Sequence, residues 1–390
     1  MANHGVFVTE ATTALSTMNT ATSGIPFVIG SAKLTAAPEV TRATAGEPFL
    51  ATSYAEAEAA LGYDDDWSKY TIYEVMYYHF KLAGCQPVIF LPLVPSGSDT
   101  EVTVAQVAAA VEKIDLCMAK FGVIPDLILA PGYSEKSEVS AAMATKIASV
   151  NGLFRGKAVV DVAGIKYTDA IAAKNAGSFT EDMIVCWPCA KLGDRKFHMS
   201  TVIAGRISAT DTENGGIPYE SPSNKPISSD GLCANDGTEI VLTIAQANLL
   251  NAAGINTGLN FMGGFKAWGN YTAAYPTSTD VKDYFVPVSR MFDWVANSLI
   301  KTFWEKLDKP MNRRLLDGIM DSCNIWLNGL VGRGYLLGAR VEMIEAENPV
   351  TDLMAGIVRL HIFMTPPSPA QEIDFTLEYD ASYVESALSA

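Results

Sequence analysis

Hydrophobic and polar residues alternate along residues 372–379, close to the C-terminus. The apolar positions, which fall on one side of an extended chain, are Ile373, Phe375, Leu377 and Tyr379. This period of two predicts a half-buried β-strand. The segment Pro366-Pro367-Ser368-Pro369 precedes it, and such proline-rich sequences are stiff enough to hold a strand away from the body of a protein. We therefore expect residues 366–390 to form an extended C-terminal arm.

A second short apolar segment lies at the N-terminus, where Val6, Phe7 and Val8 predict a strand. A stretch rich in Thr, Ser and Ala separates it from the following sequence, so residues 1–24 form a predicted N-terminal arm. Tethered strands of this kind either complete the sheets of neighbouring subunits or fold back on their own chain. The residue pattern alone leaves both alternatives open.

Between the arms, short apolar segments alternate with amphipathic ones up to about residue 280. Strands are predicted at 25–30, 87–93, 126–130, 157–162 and 183–187, and helices at 69–83, 103–121, 137–150, 167–175, 199–208 and 243–253. Strands that are apolar on both faces and separated by helices are typical of a parallel sheet covered on both sides. The pattern predicts an α/β body over 25–280, with a surface loop at 209–239 and a Gly-rich strand region at 259–269.

The pattern changes after residue 280, where two long amphipathic helices follow each other. Their apolar stripes contain Phe292, Val295, Leu299 and Phe303 in the first, and Leu316, Met320, Cys323, Leu327 and Leu330 in the second. Strands are predicted near 335–344 and 357–364. These elements predict a smaller α+β domain over 281–365.

Composition narrows the function classes. Charged residues make up 18% of the 390-residue chain and hydrophobic residues 49%, whereas ordinary soluble domains are about 25% charged. Because no apolar run approaches the roughly 20 residues of a membrane span, we expect no membrane insertion and assign the surplus to subunit interfaces. The N-terminus has no secretory signal pattern, which predicts folding in a cytoplasm. A net charge of −15 argues against a nucleic-acid partner.

Charge is unevenly distributed, because residues 301–340 carry seven basic and four acidic side chains. Residues 342–390 carry nine acidic side chains and one basic one. The positive segment is typical either of a surface that binds an acidic protein or of an ordinary mixed helix surface.

The sequence contains few candidates for a catalytic, cofactor-binding or metal-binding site. Residues 152–158 resemble a phosphate loop but are one residue short and have Ala158 in place of the metal-binding hydroxyl. Cys186 and Cys189 have the spacing of a redox or zinc pair, yet a strand end is the favoured interpretation, and the six cysteines are expected to be reduced core residues. The four histidines are dispersed, and the acidic run at 64–66 is typical of a solvated loop. We expect no catalytic residues, cofactor or metal.

Several motifs, in order along the chain, resemble those of contractile tail sheath proteins from phage tails and R-type bacteriocins. They are Gly5-Val6-Phe7-Val8-Thr9-Glu10, Ile25-Pro26-Phe27-Val28-Ile29-Gly30, Gly264-Phe265-Lys266-Ala267-Trp268-Gly269-Asn270-Tyr271-Thr272, Lys309-Pro310, Asn324-Ile325-Trp326-Leu327, Asn348-Pro349 and Thr365-Pro366-Pro367. Each motif is loose by itself, whereas their order is more specific.

The resemblance implies a helical homopolymer of hexameric rings that surrounds a tail tube and contracts to drive the tube through a cell envelope. It implies that both terminal strands pair on a sheet of neighbouring subunits, formed by the strands near 335–344 and 357–364. Tail tube, baseplate and tail terminator proteins would be partners, and assembly in the bacterial host cytoplasm would yield a virion tail or a released tail-like particle. An α/β enzyme with a C-terminal cap and a ring-forming baseplate or shell protein are the alternatives.

The resemblance also implies that the helix at 312–331 faces the tube. The polar residues assigned to this face are Arg313, Arg314, Asp317, Asp321, Asn324 and Asn328. Arg313 and Arg314 lie in the first helical turn, where the helix dipole disfavours positive charge. An acidic tube surface would compensate for this.

Overall fold

The computed structural model describes residues 18–97 and 99–389, without the side chain of Glu385. The predicted N-terminal strand with Val6, Phe7 and Val8 lies outside the described residues. The described strands are β1 (Pro26–Ser31), β2 (Phe49–Ala51), β3 (Val88–Leu93), β4 (Leu127–Leu129), β5 (Lys157–Asp161), β6 (Met183–Cys186), β7 (Cys189–Leu192), β8 (Arg195–Phe197), β9 (Gly231–Cys233), β10 (Glu239–Ile240), β11 (Ile255–Asn260), β12 (Phe265–Trp268), β13 (Gly338–Glu342) and β14 (His361–Thr365).

Helices account for most of the remaining regular structure. They are α1 (Tyr54–Leu61), α2 (Ile72–Tyr77), α3 (Val104–Ala110), α4 (Leu116–Phe121), α5 (Ser137–Ile147), α6 (Tyr167–Ala176), α7 (Met199–Glu213), α8 (Ile244–Ala252), α9 (Val281–Tyr284), α10 (Val286–Phe303), α11 (Arg313–Gly332), α12 (Val350–Met354) and α13 (Ser382–Leu388). A π-helical turn extends α2 to Ala83, and a 3-10 turn over Val111–Asp115 joins α3 to α4.

An eight-stranded sheet forms the centre of the body, with the order β12-β11-β6-β5-β4-β1-β3-β2. The pairs inside the sheet are parallel, and only the edge strands β2 and β12 pair antiparallel. Every residue of β1 and β3 is buried, as expected for strands covered by helices on both faces. The predicted α/β body with a mostly parallel sheet is confirmed.

A smaller antiparallel sheet, in the order β10-β9-β7-β8, lies beside the first. The sequence did not predict it, and β9 falls within the predicted loop at 209–239. With three residues, β9 is too short to show a hydrophobic period. Helix α7 runs to Glu213, beyond its predicted end at 208, because most of its residues are buried and it shows no amphipathic stripe.

A second hydrophobic core lies among α10, α11 and the two-stranded antiparallel sheet of β13 and β14. Its buried members include Trp294, Val295, Leu327 and Leu330. Helix α10 also contributes Val286 to the large core of the body, so it belongs to both cores. No helix among the described residues is long and apolar enough to span a lipid bilayer.

Candidate assembly interface

The C-terminal arm leaves the body without a partner strand. Residues 366–380 form no helix or strand, and the side chains of Ile373, Phe375, Leu377 and Tyr379 are between 70% and 95% exposed. The arm is held at its base by Gln371, whose Nε2 donates a hydrogen bond of 2.6 Å to Asn270 Oδ1. The four apolar side chains singled out in the sequence therefore lie on the surface of the monomer.

The root of the N-terminal arm is fixed on α10 by polar contacts. Asn19 N donates to Thr302 Oγ1 (3.0 Å), and Ala21 N donates to Ser298 Oγ (2.9 Å). Trp294 Nε1 in turn donates to the carbonyl oxygen of Ala21 (2.7 Å). These bonds fix the backbone of Asn19 and Ala21, close to where the described chain begins, on α10.

The two-stranded sheet that directly precedes the C-terminal arm has open edges within the described part of the chain. β13 and β14 pair over five residues, from Gly338 opposite Thr365 to Glu342 opposite His361, and neither strand pairs with a third among the described residues. One face packs on α11, where Val341 is buried. On the other face, the Arg340 guanidinium lies over the ring of Phe363, 3.9 Å from its centroid.

Helix α11 presents a mixed polar face to solvent. Arg313, Arg314, Asp321 and Asn328 are exposed, and Asp317 is partly exposed. The Nε of Arg313 lies 3.6 Å from Asp317 Oδ2, one helical turn further along. The exposed face also contains Ile325, which the sequence analysis did not assign to it.

Asn324 differs from the other residues assigned to this polar face. Its side chain is only partly exposed, and its Oδ1 accepts a hydrogen bond of 3.0 Å from the backbone N–H of Val341 in β13. This contact ties the helix to the two-stranded sheet. The role of Asn324 that the structure describes is therefore within the subunit.

The chain is similar to several known proteins over most of its length. A Pseudomonas aeruginosa (strain UCBPP-PA14) protein, named as a prophage major tail sheath protein, is 27% identical over 402 aligned positions that cover 99% of this chain and 98% of that protein. The tail sheath protein of Burkholderia phage BcepMu is 26% identical over 281 residues, covering 68% of this chain and 57% of that protein. The anti-feeding prophage helical sheath in its contracted state superposes with a TM-score of 0.71 and 19% identity, over 97% of this chain and 100% of that one.

The chain is thus similar in sequence, over nearly its whole length, to a contractile tail sheath protein, and it shares the fold of solved sheath proteins. No family model matches it. The chain spans 57% of the length of its BcepMu relative, but nearly all of the Pseudomonas one. The proteins to which it is similar are components of phage tails and of contractile injection systems.

Two buried ionic clusters anchor α10 to the body. Arg290 Nη2 lies 2.5 Å from Asp211 Oδ2 and 2.7 Å from Asp126 Oδ2. Burial disfavours the Arg290 charge, but the two carboxylates outweigh this and raise its pKa. Asp126 Oδ1 also accepts from the N–H of Ile25 (2.7 Å), so the cluster joins α7, α10 and the start of β1.

The second cluster lies one helical turn further along α10. Lys157 Nζ of β5 lies 2.7 Å from Asp182 Oδ1 and 3.0 Å from Asp293 Oδ2. Burial raises the pKa of Asp293, and Lys157 opposes this effect. Asn297 adds hydrogen bonds to both the N–H and the carbonyl of Arg155. The residues that resembled a phosphate loop therefore include a turn that packs on α10.

A third polar cluster lies where β5 ends, and sequence reasoning missed it. His198 Nδ1 is 2.9 Å from Glu74 Oε2, while Ser200 N donates to Asp161 Oδ1 (2.8 Å). Burial lowers the pKa of His198, but Glu74 and Asp161 outweigh this and raise it to about 9. Burial raises the pKa of Asp161 to about 6. The side chains come from distant parts of the chain, so no local motif signals them.

The neighbouring cysteines have no reactive character. Cys186 ends β6 and Cys189 begins β7, as the strand-end interpretation expected. Burial raises the pKa of both thiols well above the usual value. All six cysteines are buried and free. Within the described residues, no group of three or more His, Cys, Asp and Glu side chains is arranged to hold a metal ion.

Proposed function

We propose that copies of this sheath protein polymerise as stacked hexameric rings around a tail tube and contract to drive the tube through a cell envelope. Neighbouring subunits are linked by exchange of their terminal strands. The observation that supports this proposal is that the subunit contains two incomplete parts. One is an alternating arm with exposed apolar side chains, and the other is a two-stranded sheet with open edges.

The two faces of the arm match the two faces of the sheet. The apolar side of the arm would continue the inner face, where Ile362 and Met364 pack against the second core. The polar side, with Glu372, Asp374 and Glu378, would lie on the outer face near the exposed Arg340. If the arm shifted by one residue along the sheet, its apolar side chains would move to the outer face and its acidic ones to the inner face. The alternation therefore favours a single register.

The stabilisation from an exchanged strand comes from its backbone hydrogen bonds and its buried apolar side chains. A shared strand adds about four ladder hydrogen bonds at roughly 0.5–1.5 kcal/mol each. Burying each large apolar side chain adds up to roughly 1.5–3 kcal/mol. Exposed ion pairs, in contrast, contribute about 0–1 kcal/mol each. Strand links therefore persist while weaker contacts, such as those to a tube, break and form again during contraction.

The tube-facing surface in this proposal is the exposed side of α11. Arg313, Arg314, Asp317, Asp321 and Asn328 supply polar contacts that are weak enough to be released. The N-cap side chain of Asn312 accepts from Leu315 N (2.9 Å), but no carboxylate lies in the first turn to balance the two arginines. An acidic tube surface would supply that balance.

The proposal assigns a mechanical role and no catalysis to the subunit. His198 and Asp161 have shifted pKa values, as catalytic groups often do. They are buried, however, and the cavity beside them measures about 10 Å³, the space of a single water molecule. A structural role fits these dimensions better than substrate binding. Baseplate and tail terminator proteins would cap the polymer, which would assemble in the bacterial host cytoplasm.

Truncation and face-specific substitution test the strand exchange. We expect proteins lacking residues 1–10 or 371–390 to give a folded monomer that forms no long sheaths in negative-stain micrographs. Phe375→Asp should have the same effect, because it places a charge on the apolar side of the arm. Thr376→Asp is the matched control, since its side chain belongs to the polar side. Normal polymerisation of either truncated protein would refute strand exchange.

A further inference from the structure

The C-terminal arm ends in a short helix whose apolar face is exposed in the part of the chain that the structure describes. In α13, Tyr383, Val384, Ala387 and Leu388 share one face and, with Tyr379, line a shallow hollow. Tyr383 and Leu388 are largely exposed. Asp380 fixes the start of the helix by accepting from the N–H (2.9 Å) and the hydroxyl (2.6 Å) of Ser382. Two residues separate Tyr379, the last apolar position of the arm, from α13.

A second unpartnered apolar surface lies on the segment between β13 and β14. Val350 and Met354, one turn apart in α12, are 71% and 84% exposed, and Ile357 is also exposed. We call these three residues the α12 patch. Three isolated apolar residues on a surface need no explanation, whereas a cluster of them beside an open sheet edge is typical of a contact surface.

The α12 patch is presented by a well-ordered loop. Asn348 is buried, and its Nδ2 donates to the carbonyl oxygens of Ile344 and Arg359 (2.9 Å each). Its Oδ1 accepts from Arg359 N (2.7 Å), and Arg359 also forms an ion pair with Asp352 of α12. These bonds close the loop across its base. The exposure of Met354 therefore results from a fixed backbone path.

Strand direction decides where α13 arrives on a neighbouring subunit. An arm that runs antiparallel to β14 ends beside His361, next to the α12 patch. An arm that runs parallel to β14 ends beside Thr365, next to Leu337, at the other end of the sheet. The seven residues from Ile373 to Tyr379 span about 20 Å when extended, compared with about 13 Å for β14, so α13 begins just beyond the sheet.

We propose that α13 of one subunit docks on the α12 patch of a second copy of this chain, with the donated arm antiparallel to β14. This inference rests on the strand exchange proposed above and adds its direction and a helical lock at its end. The occupant is a copy of this chain because the two-residue connection delivers α13 to the patch whenever the arm pairs in this direction. A lipid surface fits poorly, since Asp374, Glu378 and Asp380 precede the helix and repel anionic headgroups.

Cross-linking in assembled sheaths tests the docking. The variant Met354→Cys/Leu388→Cys carries the only surface thiols among the described residues, because the six native cysteines are buried. A short bis-maleimide should convert it into a ladder of covalent multimers, since each subunit donates one helix and receives another. Leu337→Cys/Leu388→Cys is the matched variant for the opposite strand direction, and it should remain monomeric on a denaturing gel.

The result separates this inference from the proposed function. Sheaths that form but cross-link through residue 337, or through neither pair, would overturn the docking and leave strand exchange intact. If the unmodified protein forms no sheaths, the proposed function fails and the docking fails with it. In the wild-type background, Met354→Asp and Leu388→Asp should each reduce the polymerised fraction. If the two side chains contact each other, the double variant Met354→Asp/Leu388→Asp should reduce the polymerised fraction little more than either single substitution does.

Discussion

Trp294 Nε1 donates a hydrogen bond of 2.7 Å to the carbonyl oxygen of Ala21, which lies 273 residues earlier in the chain. Both groups are buried beside the second core. The bond joins the root of the N-terminal arm to α10, the helix that both cores share.

Replacing Trp294 by Phe keeps an aromatic ring at this position and removes the indole N–H donor. We expect the free energy of unfolding to fall by about 1–3 kcal/mol, because the carbonyl of Ala21 remains buried without a partner. Urea denaturation measures this change. The control is Trp304→Phe, at an exposed tryptophan just beyond α10, which should change stability by less than about 0.5 kcal/mol. Equal effects of the two substitutions would contradict the assigned role.

Replacing Arg290 by Met leaves the carboxylates of Asp126 and Asp211 buried without their cation. We expect a loss of about 3–5 kcal/mol in the free energy of unfolding, again measured by denaturation. Arg313→Met removes an ion pair that is exposed to solvent, and should cost less than about 1 kcal/mol. A small effect at Arg290 would show that the cluster does not hold α10 on the body.

The His198–Glu74 pair predicts a loss of stability at alkaline pH. The pKa of His198 is raised from 6.5 to about 9 in the folded protein, so the folded state binds the proton more tightly than the unfolded state. The resulting stabilisation is complete below about pH 6.5 and is lost as the pH rises through about 9. It amounts to a few kcal/mol at most. Glu74, Asp161 and Glu135 are the charged groups that act on the ring.

Unfolding midpoints measured between pH 6.5 and 9.5 test this dependence. In His198→Gln the decline over that range should largely disappear. His361→Gln serves as the control. This half-exposed histidine lies in β14, beside Glu347, and is far along the chain from the cluster of His198, Glu74 and Asp161. It should retain the decline. A pH dependence that is identical in wild type and His198→Gln would rule out this assignment.

Reversing charge at the start of α11 separates tube binding from folding. The double substitution Arg313→Glu/Arg314→Glu places negative charge at the N-terminus of α11. The helix dipole stabilises negative charge there, so the free energy of unfolding of the monomer should stay constant or rise slightly. Co-assembly with the tube should fail, while tube-free sheath polymers still form. Negative-stain micrographs of sheath mixed with tube give the measurement. Lys136→Glu/Lys166→Glu, at exposed positions on the body, should co-assemble normally.

Much of the α/β body could be predicted from local patterns. β1 and β3 lie within a residue or so of their predicted limits because continuous apolar segments are typical of strands buried on both faces. The small sheet of β7 to β10 was missed because its strands have only two to four residues. Helix α1 was missed although Ser53 accepts from Glu56 N at its N-cap, because the helix is short and rich in Ala.

Part of the candidate assembly interface could likewise be predicted from the sequence, and part could not. The alternation of Ile373, Phe375, Leu377 and Tyr379 is visible in the sequence, and the structure adds that these side chains are exposed in the monomer. Asn324 was assigned to the polar, tube-facing side of α11 from the helical period together with the resemblance to sheath proteins. The hydrogen bond from Val341 could not be anticipated, because it depends on how β13 packs against the helix.

Local sequence patterns are enough to specify the periods of the elements: the two-residue alternation of the arm, the apolar strands of the sheet and the stripes of α10 and α11. Such periods depend on neighbouring residues only. Tertiary structure alone decided the strand order, the partners of Arg290, Lys157 and His198, and the position of the α12 patch at one end of an open sheet edge. These features join residues that are far apart in the chain, and their free energies depend on burial and distance, which no local pattern contains.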